Sequence, residues 1–388
     1  MGREHGGNLS YWNMREFHEG IVPRQISEYV LYTDSRVVGE SSRPTSPYKF
    51  INMIPYCHEP GVIQEAIVLR IAWVIDGKRE FPIRTETTTY NGGWANDELA
   101  ALASLRLGVR LKAGGETRLF GAYSEDPLGT PKASRNKPDI FLLGKTLVLP
   151  SVFRVPNLES LKAIDALKNV SESEFTALVR SARQFQNAIW IAESKPELAW
   201  LMLVSAIETA ANEWASSLPS RSSAIDTLRE IKPEFYQQLM DNGGTEALAI
   251  VADEIAHTLK AAKKFRDFCM EFLPAPPDER PAEYAQINWT KNALKKALDK
   301  IYGYRSLALH AGIPFPSPMC AAPDRIEEEG KVTYAEIGTL GLAAHTLGAS
   351  WRADDLPMSM NTFCNLVRDI LNKWWDAITA ENTLKSRC

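Results

Sequence analysis

The sequence predicts an α+β protein, with a mixed α/β segment over residues 1–155 followed by an all-α helical bundle over residues 156–388. Three observations carry this reading. Runs of β-branched residues broken by Gly and Pro fill the first segment, and apolar residues at helical spacing fill the second. Between them, from Leu149-Pro150 to Pro156, the composition changes. The length of 388 residues fits two or three domains at ~100–200 residues each.

Residues 1–60 are rich in Gly, Pro, Ser and aromatics with little periodicity; short strands are expected near Glu28–Thr33 and Tyr48–Ile54. Val62 to Ile75 is rich in Val and Ile, Asp76-Gly77 is a turn signal, and Glu80 to Tyr90 resumes, so a hairpin is expected. Asn96 or Asp97 then caps a helix from about Glu98 to Leu107. Ala113-Gly114-Gly115 reads as a turn, Thr117 to Ala122 as a strand, and Pro127 to Pro138 as a loop with Lys132, Arg135 and Lys137.

The helical half is more regular. Ser171 with Glu174 forms a capping box that opens a helix to about Glu193. Pro196 opens a second helix that runs through Trp214. After a polar connection closed by Asn242-Gly243-Gly244, a third helix spans about Thr245 to Phe272 and stops at Pro274. A fourth runs from about Trp289 to His310, and residues 313–350 form a long loop with local elements. The last helix covers Met358 to Ala380.

Composition removes several function classes. The hydrophobic content of 45% and charged content of 24% are ordinary for a globular core, and a net charge of −4 leaves no whole-protein basic field for nucleic acid. The five cysteines, Cys57, Cys269, Cys320, Cys364 and Cys388, are widely spaced and form no CxxC pair, which argues against a zinc site or disulfide framework and suits a reducing compartment. The polar N-terminus lacks the apolar region of a signal peptide, and no run of 18 apolar residues exists. A cytoplasmic location without membrane contact is expected. Gly92-Gly93 and Gly114-Gly115 lack the GxGxxG and GK[ST] context that cradles phosphates, so neither marks a nucleotide loop. No cofactor or resident metal is expected. A metal-dependent hydrolase would need His18, His58, His257 or His345 to cluster.

Potential chemistry concentrates at Ile301 to Gly312, where the fourth helix ends at Gly312 and Pro314. Arg305 follows Leu294, Leu298 and Ile301 at i, i+4, i+7 and i+11, and thus prolongs an apolar stripe. His310 can exchange a proton near neutral pH, and arginine presents a planar charged fork to phosphate oxygens. Such a pair can cleave RNA: a base activates the ribose 2′-hydroxyl, and arginine stabilises charge building on the phosphoryl oxygens. Ser306, four residues before His310, shares its helix face and can orient the imidazole. At ~100° per residue, however, Arg305 and His310 stand ~140° apart, so pairing requires fraying at the stop or a second copy of the motif. A purely structural arrangement is also open, with Arg305 in an ion pair, for example to Glu208, and His310 favoured by the helix dipole. Residues 259–305 hold ten Lys/Arg against six Asp/Glu, a local +4 that points to an anionic ligand, with Lys296 and Lys300 as expected RNA contacts.

The stretch Tyr304-Arg305-Ser306-Leu307-Ala308-Leu309-His310-Ala311-Gly312 resembles the Arg-x(4–6)-His motif of the HEPN superfamily, in particular its Apea-like group. There an arginine followed by a small polar residue precedes His-Gly at a helix end; here Ala311 separates His310 from Gly312. Leu203 to Ala210, with Glu208, resembles that group's early helix, and Lys264-Phe265 to Leu273-Pro274 its third-helix end, so the likeness covers roughly residues 172–380. The resemblance implies a helical bundle that dimerises around the motif helices and a metal-independent endoribonuclease, a toxin or antiphage effector. It maps Arg305 and His310 to the catalytic pair and Ser306 to the polar residue beside the arginine, with Glu208 and Tyr304 in support. RNA is then the substrate, a homodimer the expected assembly, and the N-terminal segment senses a phage-derived or nucleotide trigger or selects substrate. Members that have lost activity serve as dimerisation or nucleotide- and RNA-binding modules.

Overall fold

The computed structural model describes residues 8–54, 58–75, 93–123, 129–132, 137–140, 142, 146–217, 224–231 and 233–385. It has the α+β architecture expected, a sheet-containing N-terminal region followed by a helical C-terminal region. The first element is α1 (Leu9–His18), a helix that the aromatic-rich opening did not announce. Tyr11 and Met14 anchor it in the core. Strands β1 (Gln25–Thr33), β2 (Tyr48–Asn52) and β3 (Gln64–Trp73) follow, then α2 (Ala95–Leu107), β4 (Lys112–Gly121) and the two-residue β5 (Thr130–Pro131).

All neighbouring strands pair antiparallel in the order β2-β3-β1-β4-β5. The central β1 matches Val30 to Val68 on one side and Ile26 to Phe120 on the other. The second arm of the expected hairpin, Glu80 to Tyr90 with its Asp76-Gly77 turn, lies outside the described residues, as do Arg135, Cys57 and Cys388. Gly114-Gly115 is not a turn but the interior of β4. A Cβ on Gly114 would stand 2.5 Å from the Tyr32 ring, so glycine there lets the strand lie against β1. Helix α2 begins at Ala95, earlier than expected, because Asp97 acts from the first turn by accepting the Trp94 N–H at 3.3 Å.

The helical region opens with a 3-10 segment (Leu158–Asn169) and α3 (Glu172–Ile191), where the Ser171–Glu174 capping box forms as its spacing predicts. Next come α4 (Pro196–Ser216), α5 (Ala224–Ile231), α6 (Pro233–Glu271), α7 (Lys291–His310) and α8 (Met360–Lys385). Gly244, with φ of 64° and ψ of −169°, breaks α6 just before the expected helix start at Thr245, but helix also precedes it from Pro233, where a polar connection was expected. The loop after α7 contains two small hairpins, β6 (Arg325–Glu328) with β7 (Lys331–Tyr334) and β8 (Ala343–His345) with β9 (Ser350–Arg352).

The compositional change near residue 155 marks the passage from strands to helices, yet buried side chains on both sides belong to one continuous cluster. Leu31, Ile71 and Leu99 join Phe175, Trp200 and Ile370 in it. A wholly buried ionic knot lies at the same junction. Arg110, after α2, donates to Asp34 at 2.9 Å, to Glu193 and to the Ile189 carbonyl at 3.0 Å. Glu193 also accepts the backbone N–H groups of Val148 and Leu149. Every charged atom there except Asp34 Oδ1 has a partner, which is what makes a buried charge tolerable. No helix among the described residues is long and apolar enough to cross a membrane.

Candidate active site

Helix α7 presents its faces to different neighbours. Thr290 caps it by accepting the Ala293 N–H at 3.4 Å, and Leu294, Leu298, Ile301 and Tyr302 are its buried residues. Lys296, Lys300 and Tyr304, spaced i, i+4 and i+8, face the segment around residues 353–358. Lys300 Nζ donates to the Asp354 carbonyl at 2.6 Å and to Asp355 Oδ1 at 2.9 Å. Tyr304 Oη donates to the Asp355 carbonyl at 2.7 Å. Lys300 and Tyr304 therefore fasten this segment to α7, while Lys296 stays exposed on the rim of a groove of about 340 Å3.

Arg305, one residue on and so about 100° further round, turns towards α4. Its Nη2 donates to Glu208 Oε2 at 2.7 Å, with both side chains about four-fifths buried. The guanidinium carbon lies 5.6 Å from the centre of the Tyr302 ring. Arg305 Nε is buried without a hydrogen-bond partner among the described residues. One donor of the fork is thus anchored and another is unspent. Burial and then the Glu208 charge push the Tyr302 phenol up to about 12, with Arg305 opposing. Tyr302, three residues before Arg305 and four after Leu298, falls on the same buried face, a placement that spacing alone makes legible.

The helix stays regular through His310 and stops where Gly312 takes a φ of 66°. Ala311 N–H still donates to the Leu307 carbonyl at 2.9 Å. His310 is exposed in the last turn, and no side-chain hydrogen bond among the described residues links its imidazole to Ser306 or Arg305. Leu307, Leu309 and Ile313 surround this end with exposed apolar side chains. Regular geometry thus keeps Arg305 and His310 on different faces of one helix.

Much of the local positive charge is already matched. Lys263 pairs with Asp267 at 3.2 Å, Arg266 lies 3.6 Å from Asp267, Arg280 pairs with Glu336, and Lys300 with Asp355. Lys291, Lys295 and Lys296 on the first half of α7 have no ion-pair partner among the described residues. The other histidines are scattered: His18 ends α1, His58 stacks on Phe153 at 4.4 Å, and His345 sits in β8. The His257 side chain lies outside the described set. Among the described residues no group of three His, Cys, Asp or Glu side chains is placed to hold a metal ion. Lys132 of the N-terminal basic loop is paired with Glu116.

Neither a protein-family model, nor a curated protein, nor a solved structure matches this chain.

Proposed function

We propose that the chain is a metal-independent endoribonuclease of the HEPN type, acting in the cytoplasm as a toxin or antiphage effector. One observation supports this most: an arginine oriented by a carboxylate on a neighbouring helix, with an exposed histidine five residues on at the helix stop. In this reading His310 takes the proton from a ribose 2′-hydroxyl, whose oxygen attacks the adjacent phosphorus and expels the 5′-oxygen, which takes a proton from water. The products are a 2′,3′-cyclic phosphate and a 5′-hydroxyl end. Arg305 stabilises the charge on the phosphoryl oxygens, and Lys296 contacts the RNA backbone.

Because Arg305 and His310 face apart within one straight helix, the site is composite and is completed by a second copy of the chain. The exposed Leu307, Leu309 and Ile313 supply apolar surface for that homodimer. The rival reading is a non-catalytic HEPN dimerisation or nucleotide- or RNA-binding module. The absence, among the described residues, of a side-chain hydrogen bond from Ser306 to the His310 imidazole favours it. RNA cleavage in EDTA decides between them. The wild type yields cyclic-phosphate ends while Arg305→Ala and His310→Ala yield none; a wild type as inactive as both variants under every trigger tried sinks the nuclease reading.

A further inference from the structure

A second cavity, of about 170 Å3, opens where α2, β4 and α3 meet, and Asp97, Lys112, Ala113, Arg183, Gln186 and Asn187 line it. Arg183, Gln186 and Asn187 share one face of α3 by their i, i+3, i+4 spacing. Lys112 opens β4, and Asp97 stands in the first turn of α2. The walls are held. Gln186 donates to the Leu111 carbonyl at 2.6 Å, and Trp190 Nε1 donates to the Asp139 carbonyl at 2.9 Å.

The charges in this cavity do not balance. Two cations face it with a single carboxylate, and Arg183 Nη1 stands 3.9 Å from Asp97 Oδ1, a loose pair. Lys112 Nζ lies 4.7 Å from the centre of the Trp190 ring, and among the described residues no carboxylate lies within ion-pair distance of it. Burial lowers the affinity of Lys112 for its proton; the charge of Arg183 lowers it further, and Asp97 acts against both. A bound anion would relieve that repulsion and satisfy both an ammonium and a guanidinium fork, the donor pair suited to a tetrahedral oxyanion.

We propose that this cavity binds a phosphate group, free or carried as a monoester, between Lys112 and Arg183. The volume accommodates a phosphate together with ordered waters. Anything attached to the phosphate projects outwards. Trp94, 73% exposed, stands in the turn whose N–H Asp97 holds, so a flat group on the ester finds an aromatic face nearby. The site shares no residue with α7, and its fate is independent of the nuclease reading.

The test is thermal unfolding and calorimetric titration of the full chain with sodium phosphate, against sodium chloride at equal ionic strength. Phosphate is expected to raise the melting temperature saturably. Lys112→Gln and Arg183→Gln are each expected to weaken binding about tenfold or more, as loss of a charge-assisted contact does. Asp97→Asn removes the competing carboxylate and is expected to tighten binding about twofold to fivefold, the range of a partly exposed pair. Adenosine monophosphate binding more tightly than phosphate identifies an ester ligand, and equal affinity identifies the free anion; either supports the site. No saturable effect of phosphate or the monophosphate overturns the proposal, as does full affinity in both glutamine variants. Should those variants fail to fold, Asp97→Asn decides alone, and unchanged or weaker phosphate binding rejects the site.

Discussion

Arg305 reaches from α7 to Glu208 on α4 at 2.7 Å, yet its Nε donor remains buried and unpartnered among the described residues. The pair orients the guanidinium without exhausting it. Arg305→Ala and Glu208→Ala are each expected to lower stability, with a coupling on the order of 1–2 kcal/mol in a double-mutant cycle of melting curves. On the proposed nuclease reading, Arg305→Lys is expected to keep much of the fold and lose RNA cleavage, since a point charge does not reproduce the planar fork. An active Arg305→Lys enzyme would show that the fork is not used.

The His310 side chain contributes little to folding, because it is exposed and makes no hydrogen bond among the described residues. His310→Ala should leave the melting temperature within the effect of ~0.5 kcal/mol typical of surface changes, while RNA cleavage falls at least ~100-fold. Mixing provides a sharper check of the composite site. On the proposed homodimeric nuclease, Arg305→Ala and His310→Ala chains, each inactive alone, are expected to regain part of the RNA cleavage when combined, because a heterodimer restores one Arg–His set. Two inactive chains that stay inactive after subunit exchange argue for a site contained in one chain.

The buried knot of Arg110, Asp34 and Glu193 ties the sheet to the end of α3. Arg110→Met leaves two carboxylates facing each other without a cation, and the expected loss is about 3–5 kcal/mol. Urea denaturation measures it directly. A loss below ~1 kcal/mol would show that the knot contributes little to stability.

Glu98 supplies a pH dependence. It is wholly buried in α2, accepts the Ser10 N–H at 3.0 Å and the Ser10 hydroxyl, and its other oxygen has no hydrogen-bond partner among the described residues. Burial pushes its carboxyl up to about 7, against the opposing Ser10 hydrogen bonds. The folded chain therefore holds this proton more tightly than the unfolded one does. Its contribution is fully present below the ordinary carboxylate range and is lost as pH rises towards 7. At ~1.4 kcal/mol per tenfold of proton affinity, the change is on the order of 3 kcal/mol. Glu98→Gln should flatten the fall in melting temperature between pH 5 and 7, a window set by that carboxyl. An equal slope in both proteins would assign the pH dependence elsewhere.

What the sequence revealed depended on whether the signal was local. Ser171 and Glu174 announce the start of α3 because a capping box is a three-residue relationship, and Leu294, Leu298 and Ile301 define the buried face of α7 by spacing alone. The Arg305–Glu208 pair was anticipated as one structural arrangement, but its geometry depends on how α4 lies across α7. Helix α1 escaped notice because its burial comes from packing beneath α2 and the 3-10 segment, not from a regular apolar stripe. Gly114-Gly115 has turn chemistry, yet Tyr32 requires a bare backbone in mid-strand. The Lys112–Arg183–Asp97 cavity gave no sequence signal, since its three charges come from separate elements and meet only through the fold.

Trp200, towards the start of α4, lies face to face with Phe315 and Phe363 and donates from Nε1 to the Met319 carbonyl at 3.0 Å. Phe315 follows the α7 stop by three residues, and Phe363 belongs to α8. Helix α4 thus holds α7 by Glu208 along its shaft and by Trp200 just past its end. A helix gripped at two points loses the freedom to swing. The last turn, with His310, is in effect a fixed peg whose position is set before any partner or substrate arrives, so little ordering entropy is left to be lost when one does.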